Sequence, residues 1–158
     1  MRQHAPPVIL CIGSPRVSGD RFGPITGQLL KEVFSCPAYV YGTMSDPVHA
    51  MNLGKRLEQI RLAHPLRKII AIDAAVGGKT GDIRAFPGPL RPGLATGKHL
   101  CPVGDFSITA CVCGPGGNAL ISVSPDSVFL LALRAASLIR SAFGNGKCRV
   151  SEKRVFLL

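Results

Sequence analysis

Val8 to Ile12 form an unbroken apolar run closed by Gly13, and a Gly-rich loop from Ser14 to Gly23 then leads into residues at helical spacing. A strand with one wet face alternates polar and apolar side chains, so a continuous apolar run of this kind reads as a strand covered on both faces. Pro24 suits the first turn of a helix, where its missing N–H leaves no bond unmade, and Ile25, Leu29, Leu30 and Val33 then recur on one face up to Phe34. A buried strand that passes to a helix through glycines commits the chain to crossover connections and a mainly parallel sheet with helices on both faces.

The same alternation continues along the chain. Ala38 to Tyr41 reads as a second short strand, Gly42 to Pro47 as a turn, and Val48 to Leu62 as a helix with apolar positions at Val48, Met51, Leu57 and Ile60. Lys68 to Ile72 is the third strand and is expected to end directly on Asp73. From Gly77 to Gly104 glycine and proline dominate, leaving room for one short strand near Ile83 to Phe86 in an otherwise irregular, functional loop. Phe106 to Cys113 restores strand character, and an apolar helix from Ser127 to Phe143 is stopped by Gly144 and Gly146. The expectation is a single domain over residues 1–158, a three-layer α/β/α sandwich with a mainly parallel sheet.

Composition narrows the function classes. The 158 residues are 46% hydrophobic, enough for a core in a chain of this size. The apolar stretch Val128 to Ile139 falls short of the ~20 residues a membrane span needs and is interrupted by Arg134. Val8 to Ile12 is too short for a signal-peptide core, so a cytoplasmic protein with no membrane partner is expected. The six cysteines include no C-x-x-C pair, and several sit in apolar runs, which points to free thiols in a reduced compartment. Cys111 and Cys113 are two apart in one strand, so both thiols are expected on the same face of the sheet. A net charge of +10 would attract polyanions if concentrated on one face. The basic residues are dispersed and no nucleic-acid motif appears, so a solvated surface is favoured over a nucleic-acid partner.

Chemistry in such sheets collects beyond the carboxyl ends of the strands. Asp20 lies in the loop after the first strand and Asp73 at the end of the third. If those strands are neighbours, two carboxylates meet, and the pair can hold a metal that activates water or share a proton as general base and acid. Read structurally, each aspartate instead bonds nearby backbone as a turn or cap residue. Asp46 and His49 can orient one another at the start of the second helix, where Asp46 or Ser45 serves as N-cap. Asp105 is either a third acid at the same rim or a turn residue. The stretch Gly77-Gly78-Lys79-Thr80 ends like a phosphate loop but lacks the leading glycine, and neither G-x-S-x-G nor H-E-x-x-H occurs.

The stretches CIGSPRVSGDRFGP (Cys11 to Pro24), VYGTMSDPVHAMNL (Val40 to Leu53), IIAIDAAVG (Ile69 to Gly77), GPLRPGLATGKHLCPVGD (Gly88 to Asp105) and ITACV (Ile108 to Val112) resemble the signature blocks of the YyaC-like sporulation proteins. They follow one another in the right order. That resemblance implies the phosphorylase/hydrolase-like fold and a spore peptidase related to the germination protease, which degrades small acid-soluble spore proteins, and to the hydrogenase maturation endopeptidases. It implies catalytic or metal-binding roles for Asp20, in SGDRFGP, and for Asp73, in AIDAA, because those positions match the two functional acids of both relatives. Thr43, in a Gly-Thr turn shared with the hydrogenase peptidases, becomes a wall of the cleft, and Gly93, Lys98 and Asp105 lie on the Gly88 to Asp105 rim where a protein substrate would rest.

The resemblance further implies either a divalent metal, nickel or zinc, or none. His99 is the nearest counterpart of the third ligand of the hydrogenase peptidases, beside Asp20 and Asp73, but its surroundings depart from their motif and Lys98 fits the pattern better. The leading expectation is a sporulation-associated peptidase of the forespore cytoplasm that acts on a spore protein. The alternatives are a non-catalytic binding or scaffold protein with the same fold and a metal-dependent maturation endopeptidase.

Overall fold

In the computed structural model, residues 5–93, 100–115 and 119–144 are described. The sheet has five strands in the order β2-β1-β3-β5-β4: β1 (Val8–Cys11), β2 (Tyr39–Tyr41), β3 (Ile69–Val76), β4 (Ile83–Pro87) and β5 (Phe106–Cys113). The first three strands and β5 run parallel, and β4 closes one edge antiparallel to β5. This is the expected α/β/α sandwich with a mainly parallel sheet, and β1 and β3 are direct neighbours.

Side-chain alternation in the central strands builds two cores. Ile9, Cys11, Ile70, Ile72, Ile108 and Ala110 face helices α1 (Phe22–Gln28) and α4 (Pro125–Gly144), which contribute Phe22, Val128, Ala132, Ala136 and Ile139. Val8, Leu10, Ile69 and Ala71 point to the other side, under Leu53 and Ile60 of helix α2 (Leu53–Ala63) and under Leu90 and Val103. Strands buried on both faces have no polar side to show, which is why β1 reads as an unbroken apolar run. The short helix α3 (Ala119–Ser122) sits between β5 and α4.

Two glycines of α1 let that helix lie close to the sheet. A Cβ on Gly23 would stand 2.0 Å from the Ile12 carbonyl oxygen, and one on Gly27 would stand 2.1 Å from that of Gly42. Backbone therefore meets backbone at these two points. Past Gln28 the helix widens into a π turn over Leu29–Val33, and Arg140 of α4 donates Nε–H to the Phe34 carbonyl at 3.0 Å just after it.

Several boundaries differ from the sequence expectation. The helix expected from Val48 begins only at Leu53, because Val48 is instead buried in a parallel bridge with Ile12 and its carbonyl accepts the Gly13 N–H. Neither Ser45 nor Asp46 caps that helix. Asn52 occupies its N-cap position, and Asp46 pairs with Arg56. Strand β3 does not stop at Asp73 but runs on to Val76, since β5 supplies partners beyond that point. A shift in register interrupts the pairing of β3 with β5 between Ala75 and Val76, opposite Cys111 and Cys113; there the Cys111 thiol meets the Cys113 carbonyl at 3.3 Å, and Cys113 packs against the core under α1 and α4.

Candidate active site

The strand order reverses between β1 and β3: the chain goes outward from β1 to β2, then returns to lay β3 on the other side. Loops leaving the two strands diverge at such a point, and a crevice opens at their carboxyl ends. A cleft of about 520 Å³ occupies that position. Its lining includes Asp20, Asp73, His49, Arg16, Met51 and Gly93.

Asp20 reaches the cleft from a single 3-10 turn, Gly19–Arg21, placed between the β1 loop and α1. One of its carboxylate oxygens, Oδ2, accepts the backbone N–H of Ser14 at 2.8 Å. Arg21 holds the other end of this loop by donating Nε–H to the Pro15 carbonyl at 2.6 Å. The loop is thus fixed at both ends before any ligand arrives.

Asp73 arrives from within β3. Ile69 and Ala71 face the α2 side, and the two-residue period of a strand puts Asp73 in the same row, one step beyond the apolar core. Its Oδ1 accepts the Ala74 N–H at 2.9 Å, and the backbone N–H of Gly93 provides a second hydrogen bond. Gly93 has φ +76°, a conformation that favours glycine. Burial raises the Asp73 pKa to about 8, with the negative charge of Asp20 acting in the same direction, while the two backbone hydrogen bonds oppose the rise. At neutral pH the protonated form of Asp73 is therefore favoured.

The other expected site residues are distributed differently. Gly93 is in the cleft and binds Asp73 through its backbone. Thr43 is not part of the cleft lining: its Oγ1 accepts the Asp46 N–H at 3.1 Å and its own N–H bonds the Asp46 carbonyl, so it closes the turn after β2. Asp105 lies at the opposite end of the sheet. It accepts the Ile69 N–H at 2.9 Å and the Lys68 ammonium at 3.1 Å, at the start of β3, four residues and about 13 Å of strand away from Asp73. The turn reading of Asp105 holds and the rim reading does not. Lys98 and His99 fall outside the described residues.

Among the described residues no group of three His, Cys, Asp or Glu side chains is placed to hold a metal ion. The Asp20 and Asp73 carboxyls offer oxygen donors from two residues only, so the described residues fit a divalent metal incompletely. His49 and Arg16 were missed as cleft residues by sequence reasoning. The available signal was their position: each follows a strand that ends at the same edge of the sheet as β3.

Comparison with known proteins agrees with this architecture. The model of a family described as "Protein of unknown function (DUF1256)" matches residues 1–128. The chain belongs to the DUF1256 family. This DUF1256 protein is 40% identical over 109 residues to the uncharacterized protein YyaC of Bacillus subtilis (strain 168), an alignment covering 68% of the chain. It spans about half the length of that curated relative, 53%.

Solved structures share the DUF1256 fold at low identity. The [NiFe] hydrogenase maturation protease HycI of Thermococcus kodakarensis KOD1 matches with a TM-score of 0.60 and 21% identity, over 91% of this chain and 96% of that one. The peptidyl-tRNA hydrolase of Acinetobacter baumannii matches with a TM-score of 0.62 and 13% identity, over 93% and 92% of the two chains. At these identities the likeness establishes a hydrolase-like fold. No helix among the described residues is long and apolar enough to cross a membrane.

Proposed function

We propose that this protein is a peptidase in which Asp20 and Asp73 act together on one water molecule. The observation that carries the proposal is the meeting of two aspartates in one cleft at the switch point of the sheet, with burial and the neighbouring Asp20 raising the pKa of Asp73. Ionised Asp20 takes a proton from water as it attacks the amide carbonyl, and protonated Asp73 gives its proton to the departing amine. Groups whose environments separate their proton affinities in this way are suited to acid and base roles in one reaction.

The walls of the cleft favour a peptide with an apolar side chain near the bond to be cut. Val17, Leu100 and Leu120 line it, and Met51, 86% exposed, stands among them without apolar cover. The family resemblance supports a spore protein as substrate and the forespore cytoplasm as the place of action. The fold likeness to a maturation protease supports peptide-bond hydrolysis as the reaction class.

The test is cleavage of candidate spore proteins, and of a peptide pool derived from a bacterial proteome, by the unmutated protein and by Asp20→Asn and Asp73→Asn. Each substitution is expected to reduce cleavage by at least about 100-fold, the scale of a lost general acid or base. Cleavage that persists undiminished in both variants removes the mechanism.

A further inference from the structure

We propose that His49 is a third catalytic group of this cleft, presenting its Nε2–H to the carbonyl oxygen of the bond under attack. The inference rests on the peptidase reading and assigns a role that reading leaves open: a donor for the negative charge that develops on oxygen when water adds to the carbonyl carbon.

His49 sits in the segment Pro47–Asn52, between the turn after β2 and helix α2, and it lines the cleft with Asp20 and Asp73. The segment is held at several points. Val48 is fully buried, bridges Ile12 at the end of β1, and accepts the Gly13 N–H at 2.9 Å. Asn52 clamps the loop from the other end, its Oδ1 accepting the His49 N–H at 2.8 Å and its Nδ2 donating to the Pro47 carbonyl at 3.0 Å. The His49 carbonyl accepts the N–H groups of both Asn52 and Leu53, which ties the segment to the first turn of α2.

Within this frame the ring is oriented by its own neighbour. The Met51 backbone N–H donates to Nδ1 of His49 at 3.3 Å. A neutral imidazole has one donor and one acceptor nitrogen, and a backbone N–H can be met only by the acceptor. The ring proton therefore belongs on Nε2, and the nitrogen left for a ligand is a donor. Bonds made by one ring nitrogen set the tautomer of the other in this way.

The three groups divide the reaction without remainder. Water adds its oxygen to the carbonyl carbon while Asp20 accepts the proton released. The carbonyl π electrons move onto oxygen, where the His49 Nε2–H stabilises them. As the carbon–oxygen double bond re-forms, the carbon–nitrogen bond breaks and the amine leaves with the proton of Asp73. The proton on Asp20 then passes to Asp73 and restores the pair.

Two measurements test the role. The histidine nitrogen spectrum of the isotopically labelled protein is expected to show His49 as the Nε2–H tautomer, and an Nδ1–H tautomer overturns the inference whatever the activity. With the bacterial peptide pool as probe, His49→Ala is expected to lower kcat by about 100-fold with little change in KM, the scale of a lost oxyanion donor. His49→Gln, whose side-chain amide can place an N–H near the same position, is expected to recover a large part of that loss. His49→Ala that cleaves as fast as its parent overturns the inference and leaves the Asp20–Asp73 reading standing. A parent that cleaves nothing in the pool removes both.

Discussion

The carboxyl groups of Asp20, in the 3-10 turn that follows β1, and of Asp73, within the neighbouring strand β3, line one cleft, and the charge on Asp20 adds to burial in raising the Asp73 pKa to about 8. The proposed mechanism needs Asp20 ionised and Asp73 protonated, so activity is expected to fall as pH rises through about 8 and Asp73 loses its proton. Rate measured across the alkaline range checks this. A rate that is flat to pH 10 contradicts the assignment of Asp73 as the acid.

The same shift has a consequence for stability. Asp73 is raised from 3.8 to about 8 on folding, so its protonated form is favoured in the native state. Its contribution is fully present below the unfolded value and is lost as pH climbs through the window between those two values. Asp73→Asn, which cannot ionise, is expected to flatten that decline. Denaturant titrations at pH 5 and pH 9 should give the parent a larger loss between the two conditions than the variant shows.

Asp105 is expected to matter for folding and not for turnover. Its carboxylate receives the Ile69 N–H and the Lys68 ammonium at the amino end of β3. Asp105→Ala removes a charge-assisted bond to backbone and is expected to cost about 1.5–3 kcal/mol of stability, with the exposed Lys68 pair contributing little. Calorimetry and the peptide-pool assay on the same preparation separate the two effects. A variant as stable as its parent but inactive would return Asp105 to the site.

Gly23 is expected to tolerate no side chain. A Cβ there would stand 2.0 Å from the Ile12 carbonyl oxygen, and neither that backbone oxygen nor a Cβ fixed to its own backbone can rotate away. Gly23→Ala should therefore destabilise by about 3 kcal/mol, the upper end of ordinary overpacking, despite the better helix propensity of alanine. Gly54, on the exposed side of α2 with nothing near its Cβ position, is the control. There the same substitution should stabilise by up to about 1 kcal/mol.

Asn52 is expected to link loop order to catalysis. Its amide bonds both His49 and Pro47, so Asn52→Ala frees the segment that carries His49. A loss of about 1 kcal/mol in stability accompanies the missing bonds. The reduction in kcat is expected to be smaller than that of His49→Ala, because the ring remains but its orientation is less fixed. Parallel kinetics on the two variants checks the order.

The sequence by itself determined the layers. The apolar run Val8 to Ile12, the glycines after it and the helical spacing from Ile25 to Val33 are local patterns, and local patterns report burial on one face or two. They sufficed to specify buried parallel strands with covering helices and to place Asp20 and Asp73 after or within strands of one sheet. Only tertiary structure decided which of the candidate residues meet. Adjacency of β1 and β3 depends on pairing between segments distant in the chain, and no periodicity encodes it. The end of β3 was misread because a strand's length is set by its partner: β5 carries it past Asp73 to Val76. Val48 kept its apolar character but left the helix for a bridge with Ile12, and that displacement delivered His49 to the cleft. Thr43 and Asp105 were drawn off by backbone N–H groups of their own turn and of Ile69. Buried or half-buried backbone donors require acceptors, and which side chain supplies one becomes fixed only when the chain has closed on itself.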